Sequence, residues 1–194
     1  MKIINYNQSR FKVEGDELIL SKLEEVKVLL HRPFEGGLKG VIVKKNESDW
    51  YAIFQCEAEK KPLEETSKAV GIDLGVDKLV VTSDGVVAEN PKSFDKIEKN
   101  TKPPQHSLTW KKRGSKNYER PRNKLAKLHE HAKNLMNDYI HKITTRLVQE
   151  YDEIYAEYLG VRGMVEKGEN KTLRKHILHS NFSLFTHHLS YKAS

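Results

Sequence analysis

The chain has 194 residues, 37% of them hydrophobic and 31% charged, which is the composition of a globular protein and excludes a disordered one. The formal net charge of +7 favours an anionic partner, and the single cysteine, Cys56, excludes a disulfide framework. No apolar run approaches the roughly 20 residues that span a bilayer and no apolar signal core opens the chain, so we expect a cytoplasmic protein without a membrane partner.

The first part of the chain, residues 1–60, is predicted to be a small antiparallel β unit. Apolar runs such as "FKV", "LIL", "VKVLL", "GVIVKK" and "WYAIFQCEAE" alternate with breaks rich in Gly, Pro, Asn and Asp. These four residue types form turns, each for its own backbone reason. Cys56 lies in the last run and is predicted to be a buried structural thiol. The polar stretch 60–68 is interpreted as a linker, which places residues 61–194 in a second domain.

Three strands follow, at about 69–74, 78–83 and 86–89, and predict a β-meander with Asp84-Gly85 as a hairpin turn. The first of them contains "GIDLG", in which Asp73 stands inside an apolar run. Charged carboxylates are rarely buried without a partner. Asp73 is therefore either a functional ligand or a residue that caps a turn.

Positive charge is concentrated in residues 92–127, where twelve Lys or Arg face three acidic residues. The segment carries +9 and the rest of the chain −2, a distribution that fits a phosphate-binding surface better than general solubility. Seven of these residues are the predicted nucleic-acid contacts: Lys111, Lys112, Arg113, Lys116, Arg120, Arg122 and Lys124. Pro103, Pro104 and Pro121 argue against a continuous helix upstream of the next element.

A long amphipathic helix is predicted over residues 114–150. Its apolar residues recur at helical spacing and form one stripe: Leu125, Leu128, Ala132, Leu135, Tyr139, Ile143 and Leu147. The run "EIYAEYL" after it predicts a buried strand, and residues 171–192 predict one further helix.

Glu157, in that strand, is the expected partner of Asp73. A helix that follows a meander supplies the long crossover that a parallel neighbouring strand requires. The new strand would lie beside the first one and bring the two carboxylates together. Such a pair repels unless a cation or a shared proton intervenes, and Mg²⁺ suits oxygen ligands. The alternative is that Glu157 is a solvated residue at the end of a strand.

Three stretches, "VKVLLHRPFEG", "GIDLGVDKLVVTSDGVVAENPKSF" and "KKRGSKNYERPRNKLAKLHEHAKNLMNDYIHKITTRLVQEYDEIYAEYLGVRGM", resemble the TnpB (OrfB) proteins of insertion sequences. The resemblance implies an incomplete RNase H-like (RuvC-type) core of α/β class, preceded by part of a wedge unit that is barrel-like. It also implies an RNA-guided, Mg²⁺- or Mn²⁺-dependent DNA endonuclease, often described as a probable transposase, at the nucleoid of a prokaryotic cell.

The resemblance makes Asp73 the first catalytic aspartate and Glu157 the catalytic glutamate, both as metal ligands. The chain departs from the family at Tyr158, where an acidic residue is usual, and at Gly160, where Asn is usual. The family's four-cysteine zinc ribbon and third catalytic aspartate are expected to be missing, because Cys56 is the only cysteine and no Asp follows Asp152. Zinc is therefore not expected, and the N-terminal lobe of the family also has no counterpart.

These departures predict a copy truncated at both ends, with very weak or no cleavage activity. One alternative is a non-catalytic nucleic-acid-binding remnant of a decayed insertion sequence, in which residues 92–127 hold phosphates without chemistry. Another is a degenerate product without a stable fold, because a partial sheet exposes an edge that invites aggregation.

Overall fold

In a computed structural model, the structure describes residues 2–46, 49–57, 59, 62–157, 159–168 and 170–193. The chain divides into two compact units, Met1–Pro62 and Leu63–Ser194. The described residues form three small sheets and five α-helices, so the predicted mixed α/β class is confirmed. Among these helices, none is both long enough and apolar enough to cross a membrane.

The first unit is antiparallel throughout. Its strands are β1 (Lys2–Asn7), β2 (Phe11–Glu14), β3 (Glu17–Leu20), β4 (Val26–Lys27), β5 (Gly37–Lys45) and β6 (Trp50–Glu57). They pair in the orders β1-β5-β6 and β2-β3-β4, around a core of Leu18, Leu20 and Val41. Strand β1 was not predicted. The barrel-like part of the prediction is wrong for the described residues, because these two sheets remain open.

Cys56 is exposed, so the prediction of a buried thiol is wrong. Ala52 and Phe54, on the same face of β6, pack against the core of the unit. Cys56 lies two residues further along, opposite Leu38 and beyond the irregularity in β5 between Leu38 and Gly40. The strand continues past the core there, and the apolar run in the sequence did not reveal where the core ends.

The second unit combines one sheet with all the helices. Its elements are β7 (Ala69–Asp73), β8 (Lys78–Thr82), β9 (Val87–Glu89), α1 (Ser93–Thr109), α2 (Lys116–Glu150), β10 (Glu153–Ala156), α3 (Val161–Lys167), α4 (Lys171–Ser180) and α5 (Phe182–Ala193). The sheet order is β10-β7-β8-β9, with β10 parallel to β7 and the remaining pairs antiparallel. The predicted meander, and the return of the later strand beside the first, are both confirmed.

One face of this sheet is covered by helices. Val70, Ile72, Leu79 and Val80 of the sheet form a buried cluster with residues of α2, α4 and α5. The helical members are Met136, Ile140, Leu147, Ile177, Phe182, Phe185 and Leu189. This core supports β7 from the helical side and leaves alternate residues of β7 pointing to the other face.

The long helix α2 matches the predicted span, and the Ser115 side chain caps it by accepting a hydrogen bond from the Tyr118 N–H at 3.2 Å. The predicted apolar stripe is only partly correct. Leu135 is 47% exposed, whereas Met136, Ile140 and Thr144 are buried. Thr144 tolerates burial because its hydroxyl donates to the Ile140 carbonyl at 2.8 Å. Packing against both α1 and α5 selects a face that hydrophobicity alone did not identify.

Helix α1 was not predicted, because it contains Pro103 and Pro104. Proline inside a helix costs about 3 kcal/mol or more, through the lost N–H and a clash with the preceding turn. Ser93, Ile97, Thr101 and Pro104 recur at helical spacing and are buried, and the helix packs against α2. This packing offsets the intrinsic cost of the prolines.

The single helix predicted over residues 171–192 is in fact two helices. Asn181 between them has φ of 53°, a left-handed backbone conformation that ends α4. Asparagine adopts this conformation more readily than most residues. The break turns α5 so that Phe182 and Phe185 enter the core.

Candidate carboxylate site and nucleic-acid interface

Asp73 is the last residue of β7 and its side chain is exposed. Val70 and Ile72 in the same strand are buried against the helices. Because side chains of a strand alternate between faces, Asp73 lies on the face of the sheet opposite to Ile72. The polar end of "GIDLG" is thus directed away from the apolar core that supports it.

Glu157 follows directly after β10 and is also exposed. The parallel register pairs Tyr155 with Gly71 and Ala156 with Ile72, so Glu157 and Asp73 are the next positions along the two strands. Adjacent strands lie about 4.8 Å apart, and residues in register share a face. The structure therefore brings the two predicted carboxylates to the same end of neighbouring strands. Tyr158 lies outside the described residues, and Gly160 precedes the first turn of α3.

Two carboxylates in adjacent positions repel each other, and a cation between them removes the repulsion. Their oxygen atoms are the donors that Mg²⁺ and Mn²⁺ prefer, and Mg²⁺ is often held by one or two carboxylates with water and phosphate completing the shell. Within the described ranges, no group of three or more His, Cys, Asp or Glu side chains is arranged to hold a metal ion. The oxygen donors of Asp73 and Glu157 suit a hard cation that keeps open positions for water and phosphate.

The second glycine of "GIDLG" is Gly75, and a close backbone contact explains why it is glycine. A Cβ atom at Gly75 would lie 2.8 Å from the carbonyl oxygen of Lys78, which is a backbone atom that cannot simply rotate away. The Gly75 N–H also donates to the Leu79 carbonyl at 3.4 Å, closing the turn after Asp73. The close approach requires glycine and holds the turn next to the carboxylate.

We expect Gly75→Ala to destabilise the protein by about 1–3 kcal/mol, because the added methyl group forces the backbone at Lys78 to move. Urea unfolding would measure the loss. Gly71→Ala is the matched control, since a Cβ there would meet Ser83 Cβ at an ordinary 3.7 Å. Equal stability of the two variants would contradict the assigned role of Gly75.

The seven predicted nucleic-acid contacts lie around the junction of α1 and α2. Lys111, Lys112 and Arg113 occupy the turn, with Lys111 half-buried and the other two exposed. The remaining four are exposed side chains at the beginning of α2: Lys116, Arg120, Arg122 and Lys124. Arg122 forms an ion pair with Glu119 at 2.7 Å.

Three of these cations form a straight stripe. Lys116, Arg120 and Lys124 are spaced four residues apart and so lie on one side of α2, over about 12 Å of helix axis. In the part of the chain that the structure describes, no salt bridge is recorded for these three side chains. Exposed cations in one row suit contacts with the phosphates of an anionic polymer, as the sequence predicts.

Asp152, directly before β10, was not predicted to have a role. Its carboxylate accepts hydrogen bonds from the backbone N–H groups of Thr66 and Ser67. The only signal in the sequence is an acidic residue ahead of the strand "EIYA", which also suits an ordinary turn. Its partners are 85 and 86 residues away, so local patterns did not reveal them.

The family model OrfB_IS605, described as "Probable transposase", matches residues 53–168. "Putative RNA-guided DNA endonuclease InsQ" of Escherichia coli (strain K12) is 34% identical over 152 residues, which cover 78% of this chain and 38% of that protein. "Putative RNA-guided DNA endonuclease" of Streptomyces pristinaespiralis is 30% identical over 168 residues, covering 84% and 42%. The chain therefore spans well under half the length of these two curated relatives. Asp73, Glu157 and the basic stripe all lie within the matched family region.

Proposed function

Because the chain belongs to the OrfB_IS605 family of probable transposases, we propose that its second unit is an RNase H-like (RuvC-type) core that holds a divalent cation between Asp73 and Glu157. The cation is Mg²⁺ or Mn²⁺, and the first unit is a wedge-like segment. The substrate is DNA and the second nucleic-acid partner is a guide RNA, as the names of the two relatives state for those proteins. The protein acts in the prokaryotic cytoplasm, at the nucleoid.

The observation that carries this proposal is the parallel pairing of β10 with β7. The register ends with Ala156 opposite Ile72, which makes Glu157 and Asp73 neighbours at the exposed end of both strands. A β-meander, a long helix and a returning parallel strand support an RNase H-like arrangement. Both carboxylates are exposed and are therefore accessible to a cation from solvent.

The side chains of the site have two roles: the carboxylates bind the cation, and the basic residues hold the nucleic acid. Asp73 and Glu157 provide oxygen ligands from two rigid strands, while the apolar core beneath Ile72 keeps β7 in place. When bound, a divalent cation activates a water molecule and stabilises the leaving oxygen in phosphodiester cleavage. Lys116, Arg120 and Lys124 bind the phosphate backbone and hold the nucleic acid without contacting the reacting atoms.

We further propose that this 194-residue polypeptide on its own cleaves DNA very weakly or not at all. Two carboxylates are the expected ligands, and no Asp follows Asp152 in the chain to supply the family's third. The purified chain would be incubated with duplex DNA and Mg²⁺ or Mn²⁺, with Asp73→Ala alongside. Robust cutting that depends on Asp73 would overturn this part of the proposal.

Asp73→Asn and Glu157→Gln are each expected to weaken Mn²⁺ binding by about tenfold or more, because each removes one of two charged ligands. The electron paramagnetic resonance signal of free Mn²⁺, followed during titration, measures the affinity without requiring cleavage. Asp138→Asn is the matched control, since Asp138 is an exposed carboxylate on α2 that pairs with Lys142 at 2.6 Å. Unchanged affinity in both site variants would refute the metal site.

A second candidate is a non-catalytic nucleic-acid-binding protein, and the basic stripe on α2 favours it. Such a protein binds DNA through Lys116, Arg120 and Lys124 and does so without a divalent cation. DNA binding that persists in Asp73→Asn and Glu157→Gln, together with wild-type Mn²⁺ affinity in both variants, would select this candidate over the nuclease core.

A further inference from the structure

We propose that Asp152 is a positioning residue, which sets the register of β10 on β7 and thereby places Glu157 beside Asp73. The inference rests on the proposed function, since it concerns the same carboxylate pair. Asp152 does not contact the reacting atoms, and it does not lie at the end of the strands where the carboxylate pair is found. It acts from the opposite end of the same two strands.

The Asp152 carboxylate is held by three donor groups in the segment ahead of β7. Oδ2 accepts the N–H of Ser67 at 2.6 Å and the N–H of Thr66 at 2.9 Å. Oδ1 accepts the Thr66 hydroxyl at 3.0 Å. Because three donor groups converge on one side chain that is 85 and 86 residues away, this contact is a specific clamp between two distant parts of the chain.

The backbone reinforces the clamp. The N–H groups of Asp152 and Glu153 both donate to the Lys68 carbonyl, at 2.9 and 3.3 Å. Ser67 has φ of 54°, a left-handed conformation that costs energy in a residue other than glycine. That conformation presents the Ser67 N–H to Asp152, so the turn is shaped around the carboxylate.

The position of the clamp determines what it controls. Pairing begins with Glu153 opposite Ala69, directly after the clamp, and four residues later reaches Glu157 and Asp73. A slip of one residue moves every side chain of a strand to the other face. Strand β10 has four residues and pairs within its sheet only with β7 among the described strands, so its own ladder specifies register weakly. The hydrogen bonds of Asp152 fix the register that this short ladder specifies only weakly.

Asp152 is not placed to bind the cation itself. It precedes Glu157 by five residues, which is about 16 Å along an extended strand. The N–H groups of Thr66 and Ser67 lower the pKa of the Asp152 carboxyl below its ordinary value, as expected for a carboxylate that is fully engaged as an acceptor. The Asp152 oxygens accept hydrogen bonds within the turn and are not placed to coordinate the cation.

Asp152→Ala and Asp152→Asn distinguish positioning from charge. Asparagine keeps a carbonyl oxygen for the two N–H groups, and its amide can donate to the Thr66 hydroxyl, so it preserves the clamp without the charge. Alanine removes the clamp. Asp138→Ala removes an exposed carboxylate of α2 and is the matched control. Thr66→Val, which deletes one donor, replaces Asp152→Ala if circular dichroism shows that the alanine variant is unfolded.

The first readout is Mn²⁺ affinity by paramagnetic resonance. We expect Asp152→Ala to lose about tenfold or more, as Glu157→Gln does, and Asp152→Asn and Asp138→Ala to stay close to wild type. Thr66→Val would fall between them. Wild-type affinity in Asp152→Ala, or an equal loss in Asp152→Asn, would overturn the inference.

The second readout is amide hydrogen exchange in β10, which does not depend on a metal. Asp152→Ala should exchange faster than Asp152→Asn and Asp138→Ala. If Asp73→Asn and Glu157→Gln both leave Mn²⁺ affinity unchanged, the proposed function fails, while faster exchange confined to Asp152→Ala still supports the clamp. Identical exchange in all variants refutes the clamp whether or not the metal site exists.

Discussion

Replacing Lys116, Arg120 and Lys124 with glutamine is expected to lower the affinity for duplex DNA by roughly two orders of magnitude at about 0.1 M salt. Each lysine or arginine that neutralises a phosphate releases a condensed counterion, and the released ions supply most of the binding free energy. The three side chains are exposed and share one side of α2, so we expect one DNA backbone to contact all of them.

The salt dependence identifies the cause of the loss. The slope of log affinity against log salt should become shallower by about 2.7, or about 0.9 for each lost contact. Fluorescence anisotropy with a labelled duplex, titrated between about 50 and 200 mM salt, covers the range in which such contacts dominate. The control neutralises three exposed cations in the second half of the same helix, Lys133, Lys142 and Arg146. An equal change in both triple variants would mean that net charge matters and the stripe does not.

Phe185→Ala is expected to destabilise the second unit by about 3–5 kcal/mol, because it removes a large buried side chain and leaves a cavity. Phe185 is 0% exposed and belongs to the cluster that joins α5 to α2 and to strands β7 and β8. The expected loss is a large fraction of the 5–15 kcal/mol by which a domain of ordinary size is stable.

Urea unfolding of wild type and variant measures the difference. Leu178→Ala is the control, because Leu178 on α4 is 58% exposed and its truncation should change the free energy of unfolding by less than about 0.5 kcal/mol. A single cooperative transition in the wild type would also argue against a degenerate product without a stable fold. Equal, small effects of both variants would show that α5 does not contribute to the core.

Much of the second unit was predictable because its signals are local. Alternation in strands and the spacing of apolar residues in a helix depend on neighbouring positions, so the meander and α2 were found close to their observed bounds. The predicted strand "EIYAEYL" is present as the shorter β10, but the prediction that it is buried is wrong. Three of its four side chains are exposed, because β10 is an edge strand of its sheet. The parallel pairing of β10 with β7 was also predictable from the sequence. Two strands that are joined by a long helix commonly lie side by side and parallel in one sheet.

The incorrect predictions share a physical reason. Pro103 and Pro104 oppose a helix locally, yet a buried face against α2 outweighs them. Leu135 has the right spacing for the core but points into solvent, and Thr144 is buried with its hydroxyl satisfied inside the helix. In each case the decisive energy comes from contacts with another element, which propensity and periodicity do not describe.

The sequence by itself determined which residues are available: an aspartate in an apolar strand, a glutamate after a long helix, and a block of cations between them. It also determined the family, because the motifs occur in order along the matched region. Only the tertiary structure decided the register that makes Asp73 and Glu157 neighbours, and the clamp at Asp152 that sets it. The reason is that register depends on hydrogen bonds between segments about 85 residues apart, and these bonds exist only when the core has already brought the two strands together.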